Sequence, residues 1–504
     1  MTLPSPHTVA WLEWGPDAFA RAQSEGKPVL LSISASWCHG CAVMDTVSYG
    51  DRRVAALVAA DVVPVRVDAD RRPDVNDRYN LDGWPTTVLL TSSGEMLSGT
   101  TYLPADGLLA MLDEVTSAYR SGREALDQRA AAMAAARRAR PRVLPLAVDP
   151  DLAAPDWLAD LIVREVDAEY GGFGADGKFL HIAALTAGVR HHARTPVPAL
   201  ADALTRTLDA LAGGGIRDSI DGGFFRYAAS REWMRPHTEK MLEDQVGMVR
   251  LFLEAATALD RPDWIDVARD TIAFVHQTLA DQSDGRFFAS QAADEGFYQV
   301  PSAALRRTFT PPHVDRTLFT DWTAQAASVW ILAGERLGDP SLSEFGGRAL
   351  DRAVVASYRP GAGLAHYVDQ RAGVSGLLTD QVYAARALLD LHEATANPTW
   401  SMTAEELMRT TIRTLWDARA GGFFDRPSTG PDALGMLADP LKPLATNCVA
   451  ATVLARLARL TGDTDLQQRA LDTLRGQTTG YREHGLFGAP YVLAVLELFG
   501  DDDR

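Results

Sequence analysis

Short apolar runs alternate with helical patterns over the first 119 residues. Val29–Ile33, Val62–Val67 and Thr87–Leu90 are β-branched or aliphatic and are bounded by polar or turn residues, a pattern that predicts buried strands. Helical stretches lie between them, including one that begins at Cys38. Strands alternating with helices predict an α/β layer. Residues 120–141 are rich in Ala and Arg and read as a helical connector ending near Pro141 and Pro145. After residue 150 strand signals nearly vanish. Helical spacing takes over, as in Val449, Val453, Leu457 and Leu460. The expected organisation is an α/β domain over 1–119, a helical linker over 120–150 and an all-helical domain over 151–504.

A loose repeat runs through the helical part. Glycine followed by an aromatic or Leu recurs at YGGFG, DGGFFRY, DGRFF, GAGLAHY, AGGFFD and HGLFG. With Gly172, Gly223, Gly285, Gly363, Gly422 and Gly485 as markers, the spacings are 51, 62, 78, 59 and 63. Each interval holds two helices of ordinary length plus loops. The repeat is longer and less regular than that of an open solenoid. It predicts about twelve helices closing a ring, with the glycine turns between helices.

Composition narrows the function. Hydrophobic residues make up 46% and charged residues 23% of 504, an ordinary globular balance. The net charge of −17 opposes nucleic acid, whose phosphates need a basic surface, and opposes an anionic membrane face. There is no run of roughly 18 apolar residues to span a membrane. The first residues lack a basic segment followed by an apolar core, so the expectation is no signal peptide and a cytoplasmic protein. Three cysteines cannot form a disulfide scaffold. The sequence has no HExxH, phosphate-binding loop, dinucleotide fingerprint or G-x-S-x-G. His191 and His192 are adjacent, so on a helix they diverge. No metal and no cofactor is expected.

The strongest chemical signal is Trp37-Cys38-His39-Gly40-Cys41, which follows the Val29–Ile33 run and opens a helix. A sulfur at a helix N-terminus sees the positive end of the helix dipole and unpaired backbone N–H groups, so its thiolate is favoured. The two-residue spacer puts the second sulfur within a turn, ready to resolve a mixed disulfide. His39, when protonated, adds to the stabilisation. Two other readings compete: half of a zinc site, and a redox-inactive scaffold. A structural zinc site needs four ligands, and the only further cysteine is Cys448. Downstream come Val67-Asp68-Ala69-Asp70 and Trp84-Pro85-Thr86-Thr87. The set resembles the thioredoxin family, and the resemblance implies a cis Pro85 facing the cysteines.

The helical part carries Pro236-His-Thr-Glu-Lys-Met-Leu-Glu-Asp-Gln245. It resembles the PHFEKMLYDQ signature of the spermatogenesis-associated protein 20-like family. Further matches follow in order: Arg72-Pro-Asp-Val75 with Tyr79, Gly83-Trp-Pro85, Gly99-Thr-Thr-Tyr-Leu-Pro104, Gly171-Gly-Phe-Gly174 with Lys178-Phe179, Gly222 to Tyr227, Leu377 to Thr395, and Asn447 to Gly462. The resemblance implies a thioredoxin-like α/β domain followed by an all-α (α/α)6 barrel of the six-hairpin glycosidase type. It also implies pocket candidates at the barrel mouth: Asp221, Arg226, His237, Glu239, Lys240, Asp244, Asp294, Asp321 and Asp380. His237, Lys240 and Asp244 fall at i, i+3 and i+7 and are expected on one helix face pointing into the ring. There they either knit helices together, line a ligand pocket or act on carbohydrate. Ala292 replaces the first acid of the family's QDAD, and Thr323-Ala324 stand where the family has Asn-Gly. No glycosidase activity is therefore expected.

Together these readings predict a thiol–disulfide oxidoreductase with catalytic Cys38 and Cys41, supported by Trp37, His39 and Pro85. Its partners would be a disulfide-containing protein or a small thiol, with a sugar-like ligand for the barrel, and neither nucleic acid nor membrane. The alternatives are a carbohydrate-binding or carbohydrate-active barrel regulated by the thioredoxin-like domain, and a non-catalytic interaction protein.

Overall fold

Val29–Ser34 forms β1, buried on both faces down to Ile33, which is why the run is apolar throughout rather than alternating. A computed structural model of the chain describes residues 9–139, 148–369 and 373–500. It places β1 inside a four-stranded sheet. β2 (Val63–Asp68) runs parallel to β1, with Val29 opposite Val63. β3 (Thr86–Leu90) runs antiparallel on the other side, and β4 (Met96–Thr100) is the edge beyond it.

Five helices accompany the sheet: α1 (Pro16–Glu25), α2 (His39–Val47), α3 (Arg52–Asp61), α4 (Pro73–Tyr79) and α5 (Ala105–Ala139). Met44 of α2, Val54 and Val58 of α3, and Leu108 and Leu112 of α5 pack with Leu30 and Leu89 into one core. Trp14, Phe19 of α1 and Tyr79 of α4 form a second aromatic cluster. This is the expected thioredoxin-like arrangement. α5 continues through the Ala/Arg-rich stretch with one non-helical residue, Gly122. The expected end near Pro141 and Pro145 lies outside the described residues.

The unit built on this sheet is completed from far down the chain, by Arg426–Leu441. Arg78 donates to the carbonyls of Met436 and Asp439, each at 2.9 Å. The Tyr79 hydroxyl accepts the Met436 N–H at 2.8 Å and donates to the Gly94 carbonyl at 2.6 Å. Arg426 meets the buried Asp74 carboxylate at 2.6 Å. Gly94 has φ +86°, and a β-carbon there would stand 2.7 Å from the Gly435 Cα, so the two backbones touch where no side chain fits.

The second unit is helical. Its longer helices are α6 (Ala154–Glu165), α7 (Ile182–Arg194), α8 (Pro198–Gly213), α9 (Leu242–Ala258) and α10 (Trp264–Thr278). After the short α11 (Glu295–Tyr298) and α12 (Ala303–Arg306) come α13 (Thr320–Leu337), α14 (Pro340–Ser357), α15 (Leu378–Thr395) and α16 (Pro398–Leu415). The last are α17 (Leu444–Thr461), α18 (Thr464–Arg475) and α19 (Ala489–Phe499). α7, α9, α13, α15, α17 and α19 touch in that order, and α19 touches α7, so they close an inner ring. α8, α10, α14, α16 and α18 each pack outside the inner helix that precedes them, and α6 packs between α7 and α19. This is the (α/α)6 barrel. Inner helices are buried around most of their circumference, as in α13, whereas outer ones such as α16 bury a single stripe.

The glycine turns lead from the outer helices back toward the inner ones. In three of them an aspartate N–H donates to the carbonyl of the second glycine: Asp167 to Gly172, Asp218 to Gly223 and Asp417 to Gly422, at 2.8, 3.0 and 2.9 Å. A lysine meets each aspartate: Lys178, Lys240 and Lys442, at 2.8, 2.8 and 2.7 Å. In the turns at Gly223, Gly363 and Gly422 an amide from the following inner helix grips the next residue on both its N–H and its carbonyl. Gln245 holds Phe224, Gln381 holds Leu364 and Asn447 holds Phe423. A β-carbon on Gly363 would lie 2.5 Å from Gln381 Oε1, which fixes glycine there.

Deep in the ring, arginines join inner helices through carboxylates. Arg190 of α7 pairs with Glu254 of α9 at 2.6 Å, and Arg456 of α17 with Asp390 of α15 at 2.7 Å. Arg386 of α15 reaches Glu497 of α19 at 3.1 Å, passing α17, which lies between them. These residues lie in the middle and later turns of their helices. The first turns form the mouth. Among the described residues no helix is long and apolar enough to cross a membrane.

Candidate functional site

Cys38 is the N-cap of α2, with extended backbone, and its sulfur accepts the Cys41 N–H at 3.2 Å. Both cysteines are reduced and buried, Cys38 retaining 9% exposure and Cys41 4%. The Cys41 thiol is pushed well above its ordinary range, first by its hydrogen bond to Cys38 and then by burial. A negative sulfur at Cys38 is thus served by a backbone N–H, by the helix N-terminus and by the Cys41 thiol.

The loop before α2 is held from β2. The Ser36 N–H donates to Asp68, and Trp37 Nε1 donates to Asp70 Oδ2 at 2.7 Å. Trp37 meets Trp84 edge-on at 5.6 Å. The Trp84–Pro85 bond is cis. A β-carbon on Gly40 would lie 3.4 Å from Pro85 Cδ and 4.0 Å from Cys38 Sγ, so Pro85 and the cysteine flank the same point. His39 opens α2 and is exposed.

At the barrel mouth, the first turns of α9, α13 and α15 bring Glu243, Asp244, Asp321 and Asp380 to one rim. His366, in the loop ahead of α15, points its Nδ1 at Asp380 Oδ1 (2.9 Å) and stands 3.9 Å from Asp321 Oδ1. All three are buried. Burial raises the Asp321 carboxyl to about 6, His366 pulling it down and Asp380 pushing it up. Burial and the neighbouring Glu243 raise Asp244 to about 7, with Arg226 opposing and Glu239 adding. Glu243 is raised too, chiefly by burial.

The remaining candidates fall elsewhere. His237 and Lys240 precede α9, which starts at Leu242, so the shared helix face expected for His237, Lys240 and Asp244 does not exist. Pro236–His237 instead pairs with Tyr227–Ala228, and Lys240–Met241 with Ser290–Gln291. The reason is local: the segment is spent on backbone pairing across the glycine turns before the helix can begin. His237 is exposed and stacks on Tyr227 at 4.1 Å. Lys240 is fully buried, donating to Asp218 at 2.8 Å and to the Gly222 carbonyl at 2.7 Å. Asp221 meets Arg306, which also binds Asp218, both at 2.7 Å. Asp294 caps α11 through the Phe297 N–H at 2.9 Å. Asp244, Asp321, Asp380 and Arg226 thus share the mouth, whereas Lys240, Asp221 and Asp294 serve the turns around it.

Sequence reasoning missed His366, Glu243 and Asp218. His366 had a signal: the residue three places after the marker glycine is Arg226, His366 and Asp425 in three of the turns, polar each time.

The family model described as "Thioredox_DsbH: Protein of unknown function, DUF255" matches residues 4–137. Human spermatogenesis-associated protein 20 is 26% identical over 595 residues, covering 92% of this chain and 75% of the human one. The thiol:disulfide interchange protein DsbD of Ralstonia nicotianae is 35% identical over 82 residues, 16% of this chain and 13% of its own. A D-mannose isomerase structure superimposes with a TM-score of 0.56 at 12% identity, over 69% of this chain and 97% of that one. A thioredoxin-like first unit, a six-hairpin barrel and sequence similarity along nearly the whole length converge: the chain resembles the spermatogenesis-associated protein 20-like family throughout.

Proposed function

We propose that the protein is a thiol–disulfide oxidoreductase working through Cys38 and Cys41. The observation that carries the reading is Cys38 at the N-cap of α2, its sulfur accepting the Cys41 N–H, with cis Pro85 alongside. Cys38 thiolate attacks one sulfur of a substrate disulfide, and the other sulfur leaves as a thiol. Cys41 then loses its proton and attacks Cys38 Sγ, releasing the second substrate thiol and leaving a Cys38–Cys41 disulfide. The substrate gains two electrons and two protons, and an external dithiol returns the pair to its reduced state. The substrate is a disulfide-bearing protein or a small disulfide, and a compartment such as the cytoplasm, which keeps thiols reduced, is the setting this reading assigns. Similarity to a protein named for thiol:disulfide interchange supports the reading. The test is reduction of insulin disulfides with dithiothreitol as terminal reductant. Turnover well above the uncatalysed rate, abolished by Cys38→Ser, is expected, and rates that ignore Cys38→Ser would refute it.

A second reading concerns the barrel. The carboxylates and His366 at the mouth, on a fold shared with a D-mannose isomerase, suit a polyhydroxy ligand of the sugar class. Calorimetric titration with a panel of hexoses and disaccharides, against Asp244→Asn, tests it. Binding weakened by that substitution is expected, and absence of binding across the panel rejects it.

A further inference from the structure

We propose that Asp321, His366 and Asp380 bind a divalent first-row transition-metal ion at the barrel mouth. The three come from separate stretches of chain: the first turn of α13, the loop ahead of α15, and the first turn of α15 itself. One donor atom from each lies within 4.8 Å of the others. His366 Nδ1 is 2.9 Å from Asp380 Oδ1 and 3.9 Å from Asp321 Oδ1. Donors bound at about 2.0–2.2 Å around one ion stand roughly 3–4 Å apart, so small side-chain rotations complete the set.

A second observation points to a cation. Asp380 is fully buried, and its Oδ2 has no hydrogen-bond partner among the described residues. A buried carboxylate oxygen left without a donor is costly, and in native proteins such an atom is nearly always satisfied. Hydrogen-bonding to His366 occupies the other oxygen only. A metal ion would satisfy the empty one.

The surroundings favour the same answer. Glu243 and Asp244 bring further carboxylates to this rim, and Thr379 Oγ1 donates to Asp321 Oδ2 at 3.1 Å, orienting that carboxylate as outer-shell partners of metal ligands do. One imidazole with two carboxylates suits Zn2+, Mn2+ or Co2+, whereas Mg2+ and Ca2+ prefer all-oxygen sets. On binding, any proton on His366 Nδ1 is lost to solvent, because only the lone pair can coordinate. Three protein ligands leave further coordination positions open, as in metal sites that bind a substrate.

The site is independent of the cysteines, and the test removes them so that thiol–metal binding cannot be mistaken for it. The full chain carrying Cys38→Ser and Cys41→Ser is stripped with chelator and dialysed against Zn2+, and in parallel titrated with Co2+. One Zn2+ per chain is expected, with visible Co2+ absorption of a nitrogen–oxygen site. Asp380→Asn and, separately, His366→Gln should each weaken Zn2+ binding by roughly tenfold or more. Circular dichroism melting without metal establishes that each variant folds. His366 lies outside the helices, so His366→Gln decides the matter if Asp380→Asn unfolds. Absence of stoichiometric binding, or binding that survives a folded His366→Gln variant, overturns the proposal.

Discussion

The sulfur of Cys38 accepts the backbone N–H of Cys41 across the first turn of α2, at 3.2 Å. The two cysteines are unequal: this backbone N–H favours charge on Cys38, while the Cys41 thiol, hydrogen-bonded by its side chain to Cys38 and buried, is held protonated. Cys41→Ser should therefore keep a low-pKa thiolate and accumulate a mixed disulfide with oxidised glutathione. Cys38→Ser should do neither. Ultraviolet thiolate absorbance against pH and intact-mass analysis read the two results. A low-pKa thiolate surviving in Cys38→Ser would reverse the assigned roles.

Lys240 is buried completely against Asp218 and the Gly222 carbonyl, whereas Lys442 makes the equivalent pair with Asp417 at 22% side-chain exposure. Removing one partner of a buried pair costs about 3–5 kcal/mol. Lys240→Met should lose about that much in urea unfolding. Lys442→Met should lose visibly less, because its aspartate can rehydrate.

Asp244 has a carboxyl raised from 3.8 to about 7, mainly by burial and next by Glu243. The folded state therefore holds a proton that the unfolded state has already lost. The stability this gives is full below about pH 4 and is lost as pH rises through about 7. Asp244→Asn removes that slope. Relative to wild type it should gain stability as the pH is raised from about 5 to about 8, by at most ~1.4 kcal/mol for each step of one in pH. Urea midpoints at the two pH values measure it, and parallel curves for the two proteins would contradict it.

Asp74 is buried beneath three arginines. Burial pushes its carboxyl up, but Arg72, Arg426 and Arg78 outweigh that and hold it low. Arg426→Met should destabilise the thioredoxin-like unit by about 3–5 kcal/mol, the cost of breaking a buried pair. Hydrogen exchange in β1 and β3 reports it. A barrel-only effect would show that Arg426 does not serve this unit.

Much of this architecture is legible in the residues. Val29–Ile33 and Thr87–Leu90 are continuous apolar runs because their strands are covered on both faces, and the structure places strands there. The marker glycines recur because each turn needs positive φ, and at Gly172, Gly223, Gly363 and Gly422 a close neighbour stands there as well, Gln381 against Gly363 being one case. Periodicity misled at His237 and Lys240. Their spacing fits a helix, yet backbone pairing with Tyr227–Ala228 and Ser290–Gln291 takes precedence over propensity there. His366 could be found only by aligning the turns on their glycines, because its partners Asp321 and Asp380 lie on two other elements and meet it only when α13 and α15 pack together.

The completion of the redox unit by Arg426–Leu441 has a consequence in time. During synthesis the sheet bearing Cys38 and Cys41 leaves the ribosome first, but its last piece is about 300 residues behind. At ~5–20 residues per second that is a delay of about 15–60 s. Throughout that interval Asp74 waits for Arg426, and Arg78 for the Met436 and Asp439 carbonyls. A nascent chain therefore carries its cysteine pair on an unfinished support, and the support is finished only once most of the barrel's helices have been made.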